Sequence, residues 1–199
     1  MIEELTRDDR KSQLRLLLRA DAFRYSGDTG KRAFRSSYLR YPGFRFTYHL
    51  RMVAYYSERK RSSGIIPYYF HRLWLHRFRF RYGFDVSSQT KIGPGFFLGH
   101  FGGVVISPEA VIGANVNIAH GVTIGSTSRG SHQGAPTLGD RVWVGTGAIL
   151  VGAIKIDDDA LIAPGSYVNY DVPAKAVVLG NPGKIVSDRG SEGYINNLL

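Results

Sequence analysis

The sequence predicts a mainly β fold, a solenoid of short stacked strands, behind an α-helical N-terminal region. Two patterns lead there. From Ile92 onward, aliphatic residues recur every six positions, whereas the first 84 residues place Leu and aromatic side chains at helical spacing among charges. The excess of positive charge also divides at that boundary. Residues 1–84 carry 19 Lys/Arg against 7 Asp/Glu, and the remainder carries 7 against 9.

The six-residue period runs through Ile92, Leu98 and Val104, slips by two, and resumes at Ile106, Ile112, Ile118 and Ile124. After a polar gap it continues at Leu138, Val144, Leu150, Ile156, Ile162 and Val168. Gly often follows the aliphatic residue, as at Gly93, Gly113 and Gly139, and a small or β-branched residue often stands four positions on. Neither the helical period of 3.6 nor the strand period of 2 accounts for this. One obligatory apolar residue in six describes a short strand and a corner, repeated, whose stacking carries the aliphatic residues inward as columns. The polar stretch Gly125 to Pro136 cannot continue a column, so residues 126–136 are expected to leave the solenoid as a loop.

In the first 84 residues, Leu5 to Phe23 reads as an amphipathic helix around Leu14, Leu17 and Leu18. Tyr41-Pro42-Gly43 is expected to break the chain. Phe44–Arg59 and Ile66–Tyr82 read as two further helices joined by Arg59–Gly64. The organisation expected is therefore a basic helical region at 1–84, a solenoid at 85–186 and a C-terminal tail at 187–199.

The charge asymmetry restricts the partners to nucleic acid, an anionic membrane surface or an anionic substrate. No recognised nucleic-acid motif is present, so nucleic acid is not expected, although a basic binding module stays as an alternative class. The stretch Tyr68 to Tyr82 interleaves Arg with large rings. That composition suits peripheral contact with anionic lipid. It suits equally a helix whose arginine stems cover an aromatic core. The absence of Cys excludes disulfides, a thiolate metal site and a Cys nucleophile. The first residues lack the pattern of a secretory signal. No stretch approaches the roughly 20 apolar residues of a bilayer span. A cytoplasmic protein is expected, with any lipid contact at the inner face of the membrane.

The block from Lys91 to Val186 resembles the hexapeptide-repeat acyltransferases, down to its ending Pro173-Ala174-Lys175-Ala176-Val177-Val178-Leu179-Gly180-Asn181-Pro182-Gly183. More narrowly it resembles the serine acetyltransferase branch, including relatives that acetylate surface polysaccharides. The likeness is dense over residues 91–186 and loose from about residue 25. It implies a left-handed parallel β-helix, acetyl-CoA as acyl donor, a homotrimer with active sites between subunits, and no metal.

Of the six histidines, His49, His71 and His76 lie among Arg and aromatic residues and read as helix histidines. His100 falls at the slip in the repeat, where a side chain can be aimed out of register. The resemblance makes it the general base. An alcohol is hardly ionised at neutral pH, and a positioned imidazole can take its proton as the oxygen attacks the thioester. Read without the family, His100 is a corner residue of the solenoid. Asp85 matches the family's orienting carboxylate, which would fix the imidazole tautomer; its structural reading is a cap at the solenoid entrance. The resemblance assigns acetyl-CoA contacts to Gly125, Ser126, Gly145, Thr146, Ala163 and Pro164, and a phosphate contact to Lys184. Each glycine also reads as a turn residue.

Two departures bear on the acceptor. Where many serine acetyltransferases carry an Asp before the catalytic His, this chain has Gly99. Where they carry an Arg-His pair before the loop-closing proline, it has Gly134-Ala135 before Pro136. Each missing charge-assisted hydrogen bond costs about 1.5–3 kcal/mol. On that count a larger hydroxyl acceptor is expected, a capsule or exopolysaccharide unit or precursor. Asp28, His120 and His132 are the candidate acceptor-binding residues. His120 also reads as an exposed corner. Serine O-acetyltransferase in cysteine synthesis is the alternative enzyme, and an inactive assembly solenoid the alternative outside catalysis.

Overall fold

A computed structural model describes residues 7–57 and 64–198. Four helices precede the solenoid among these residues: α1 (Arg7–Ser26), α2 (Lys31–Arg40), α3 (Pro42–Ser57) and α4 (Ile65–Tyr82). The residues Arg59–Ser63 of the expected connection, and Leu5 at the expected start of the first helix, lie outside the described residues. Two expectations are corrected. The sequence reading missed α2, a short Arg- and Ser-rich segment whose only apolar pair at helical spacing, Phe34 and Tyr38, finds a core on Phe44 and Tyr25. The chain breaks at Tyr41 alone, because Pro42 opens α3, where a proline lacks nothing the first helical turn needs. Gly43 follows because helix and solenoid touch there: a Cβ would lie 2.2 Å from the Leu98 carbonyl oxygen.

Fifteen strands follow among the described residues. The first face of the solenoid holds β1 (Phe84–Val86), β4 (Val104–Ile106), β7 (Thr123–Gly125), β10 (Ile149–Val151) and β13 (Tyr167–Val168). The second holds β2 (Lys91–Ile92), β5 (Val111–Ile112), β8 (Thr137–Leu138) and β11 (Lys155–Ile156). The third holds β3 (Phe97–Leu98), β6 (Asn117–Ile118), β9 (Trp143–Val144), β12 (Leu161–Ile162) and β14 (Val177–Leu179), closed by the antiparallel β15 (Lys184–Ser187). All other pairings of these strands are parallel and join equivalent strands of successive turns. This is the expected parallel β-helix.

The register explains the six-residue period. Val86, Ile106, Ile124, Leu150 and Val168 stack on the first face, and Leu98, Ile118, Val144, Ile162 and Val178 on the third. All are buried. Val104 is the exception to the predicted column. It packs level with Val122, a corner position, because Val105 pairs with Thr123. The Gly after β2, β5 and β8 is enforced by spacing between turns: a Cβ on Gly113 would lie 2.3 Å from the Gly139 carbonyl oxygen.

A buried ion pair fastens helices to solenoid. Arg51 of α3 donates from Nε to Asp21 of α1 at 3.0 Å and from a terminal nitrogen to the Gly93 carbonyl at 2.6 Å. Asp21 in turn accepts the Phe96 N–H at 2.9 Å. Tyr25 bridges the backbone of Leu98, its hydroxyl accepting the N–H at 3.0 Å and donating to the carbonyl at 3.1 Å.

α4 buries Tyr68, His71, Phe78 and Tyr82 but leaves Ile66, Tyr69, Phe70, Leu73 and Phe80 exposed. The aromatic-core reading therefore accounts for only part of its rings. No helix among the described residues is long and apolar enough to cross a membrane.

His49 and His71 are buried between α3 and α4, with their Nδ1 atoms 3.0 Å apart and the other His49 nitrogen 2.9 Å from the Tyr38 hydroxyl. Burial pushes the His49 pKa down to about 3, with His71 and Arg45 adding repulsion. The unfolded chain accepts this proton below about pH 6.5, and the folded chain does not. The stability His49 contributes is thus present above that pH and is lost as pH falls towards about 3. The urea midpoint is expected to drop between pH 7 and pH 5 by more in the native sequence than in His49→Gln. Equal drops would refute this origin.

Candidate active site

The corner from the third face to the first has one form in the upper turns. Ala119-His120-Gly121, Gly145-Thr146-Gly147 and Ala163-Pro164-Gly165 lie over one another. The Gly147 N–H donates to the His120 carbonyl at 3.0 Å and the Gly165 N–H to the Thr146 carbonyl at 2.8 Å. Gly121, Gly147 and Gly165 have φ of 72°, 69° and 71°, a left-handed conformation that glycine adopts without steric cost.

The first turn departs from this form. Its corner runs from Gly99 to Gly103, between Leu98 and Val104, where the next runs from Ala119 to Gly121 between Ile118 and Val122. Gly102 takes the stacked place, its carbonyl accepting the Gly121 N–H at 2.9 Å. The two additional residues are the slip in the sequence period, and they lift His100 and Phe101 out of the stack. Both are exposed, and the His100 ring lies edge-on to His120 with centroids 5.8 Å apart. His100, His120, Thr146 and Pro164 thus succeed one another along one solenoid edge.

His100 opens onto a cavity of about 520 Å³ lined among others by Arg24, Tyr41, Phe97, Asn117 and Thr146. Its far wall is the C-terminal tail, which turns back over the third face. Tyr194 packs on Trp143 with ring centroids 5.1 Å apart, and the Asn117 side-chain amide donates to the Tyr194 carbonyl at 3.5 Å. A larger cavity of about 800 Å³ lies under the same tail, but among the described residues no histidine lines it and its Arg141 is already paired with Asp159. The candidate base therefore marks the smaller cavity as the candidate site.

The other expected site residues are dispersed in the single chain. Asp85 is exposed, pairs with Arg79, and lines a separate cavity with Arg72 and His76. Gly125 and Ser126 stand at the opposite edge of the first face, at the root of the excursion loop, which a Thr127–Gly134 bridge closes. His132 is exposed on that loop, its carbonyl accepting the Thr127 hydroxyl at 2.7 Å. Asp28 caps a turn, accepting the Gly30 N–H at 2.9 Å. Lys184 is exposed on β15. Sequence reasoning missed Arg24, Asn117 and the tail. Arg24 looked like one arginine among many on a helix, and nothing in the six-residue period points at the tail.

No protein-family profile matches the chain. It is 32% identical over 168 residues to the serine acetyltransferase of Bacillus licheniformis, covering 84% of this chain and 75% of that protein. It is 37% identical over 152 residues to that of Synechococcus elongatus, covering 76% of this chain and 60% of the relative. Serine acetyltransferase 4 of Arabidopsis thaliana matches at 42% over 105 residues, 53% of this chain but only 30% of the plant protein. The chain therefore spans under two thirds of the length of several relatives. Among solved structures, the Neisseria gonorrhoeae serine acetyltransferase in complex with serine superposes with a TM-score of 0.72 at 30% identity, covering 88% of this chain and 70% of that one. The soybean apoenzyme gives 0.72 at 31% identity, covering 88% and 69%.

These likenesses overturn the expectation of a saccharide acceptor. That expectation took the charged side chains missing at Gly99 and Gly134-Ala135 to be unreplaced. It left out the cation Arg24, which the packing of α1 carries into the His100 cavity.

Proposed function

The chain belongs to the serine acetyltransferase family, and from that premise we propose that it transfers the acetyl group of acetyl-CoA to the hydroxyl of serine. The observation that carries this reading is the reach of the likeness, which spans helices and solenoid together over 88% of the chain.

In this reading His100 is the general base. Its imidazole takes the serine hydroxyl proton as the oxygen attacks the thioester carbonyl. It returns the proton to the departing CoA thiolate when the tetrahedral intermediate collapses. Thr146 and Pro164, succeeding His120 on the same edge, lie where the donor can follow the solenoid towards His100, with Gly145 and Ala163 beside them. Backbone N–H groups at Gly125–Ser126 are candidates for steadying the oxyanion, and Lys184 for a phosphate. Asp85, which pairs with Arg79 through one carboxylate oxygen, can orient His100 either with its other oxygen or by leaving Arg79. Leaving Arg79 is inexpensive, because an exposed ion pair is worth about 0–1 kcal/mol. We propose a cytoplasmic homotrimer, in which a neighbouring subunit completes the donor groove.

The test is release of free CoA from acetyl-CoA with L-serine as acceptor, and identification of O-acetylserine as product. Saturable serine-dependent turnover is expected. Absence of turnover at saturating serine and acetyl-CoA would overturn the assignment.

A further inference from the structure

We propose that Arg24 recognises the carboxylate of the amino-acid acceptor. The proposal rests on the serine reading above and names the residue that sets its specificity.

Arg24 is 4% exposed, yet among the described residues no carboxylate pairs with it. Its partners are neutral oxygens. Nε donates to the Asn196 carbonyl at 3.0 Å, one terminal nitrogen to the Asn115 carbonyl at 3.4 Å, and the other to the Asn117 side-chain oxygen. A guanidinium has five N–H donors. Three are engaged, so each terminal nitrogen keeps one. A carboxylate can accept from both terminal nitrogens of a guanidinium at once.

A buried charge without a directly paired partner costs stability; the carboxylate of Asp21 favours the Arg24 cation from a distance but is itself paired with Arg51. Burial pulls the Arg24 pKa down to about 10, still far enough above neutrality to leave it charged. The cavity it lines also contains His100, and among the described residues no Asp, Glu, Lys or second Arg lines that cavity. Among the described residues the cavity thus joins one permanent cation to a candidate base without an anion, which makes a receptor for a small anionic acceptor. The tail holds the arginine in place, since the Asn197 side-chain amide donates to the Arg24 carbonyl at 3.1 Å. The excursion loop, with Gly134-Ala135, offers no cation in the positions that the serine acetyltransferase resemblance would fill.

A carboxylate of the acceptor and a phosphate of CoA share this chemistry, and kinetics separate them. KM for serine, KM for acetyl-CoA, and the preference for serine over serinamide, which lacks the carboxylate, would be measured for the native chain, Arg24→Met and Arg24→Lys. Arg24→Met is expected to raise the serine KM about 10- to 100-fold, the size of one charge-assisted hydrogen bond removed. KM for acetyl-CoA and kcat should hold, and the preference over serinamide should collapse. Arg24→Lys keeps the charge without the fork and should fall between. An unchanged serine-to-serinamide preference in Arg24→Met, or a rise confined to the acetyl-CoA KM, would overturn the proposal. If circular dichroism shows Arg24→Met unfolded, the Arg24→Lys ratio decides in the same way. A native chain inert towards serine would instead bring down the serine reading itself, and this proposal with it.

Discussion

Replacing His100 with Ala is expected to lower turnover about 10²- to 10⁴-fold, the usual contribution of a positioned general base, while KM for serine and acetyl-CoA changes little. The geometry makes this a clean test. His100 is exposed on an inserted corner and supports no column of the solenoid, so its removal should leave the melting temperature near that of the native chain. His120 is the internal control. It lies 5.8 Å away, ring to ring, but on a regular corner. If His100→Ala retains native turnover and His120→Ala loses it, the base has been placed one turn too low. If neither variant loses activity, the proton leaves by another route and the mechanism above is wrong.

Arg51→Met should be the most destabilising of the substitutions considered. It leaves Asp21, whose side chain is fully buried, without its cation and removes donors to two carbonyls of the first solenoid turn. Breaking a buried pair from one side costs about 3–5 kcal/mol. For a chain of this length that lowers the melting temperature on the order of 10 °C. The double substitution Asp21→Leu with Arg51→Met should recover part of the loss, because no buried charge is then orphaned. Recovery stays incomplete, since Asp21 also accepts the Phe96 N–H at 2.9 Å. A single Arg51→Met variant within about 1 kcal/mol of the native chain would mean that water reaches Asp21 and that the helices are not fastened through this pair.

These two sites differ in how far they can be read from the chain. His100 announces itself: it lies at the slip of a strict period, and the structure turns that slip into a longer corner. Asp21 and Arg51 carry no such mark. Each is one charged residue on a helix, and their pairing follows from the way α1 and α3 cross over the first turn. The sequence reading missed α2 for the same reason. Phe34 and Tyr38 form an apolar face only when Phe44 and Tyr25 are there to meet them. The acceptor was misjudged because substituted loop residues are visible in a sequence, whereas a cation that a distant helix brings into the same cavity, as α1 brings Arg24, is not.

By itself, the sequence determined the solenoid, its inward columns, the excursion loop and the place of the candidate base. All of these follow from spacing along the chain, and a turn of the solenoid is built mostly from residues near one another in sequence. The tertiary structure alone decided what stands around that base. Arg24 comes from α1, Asn117 from the second turn and Tyr194 from the returning tail, and they share one cavity only because helices, solenoid and tail pack together. Local periodicity carries no information about such meetings, since they depend on burial and charge satisfaction between segments far apart in the chain.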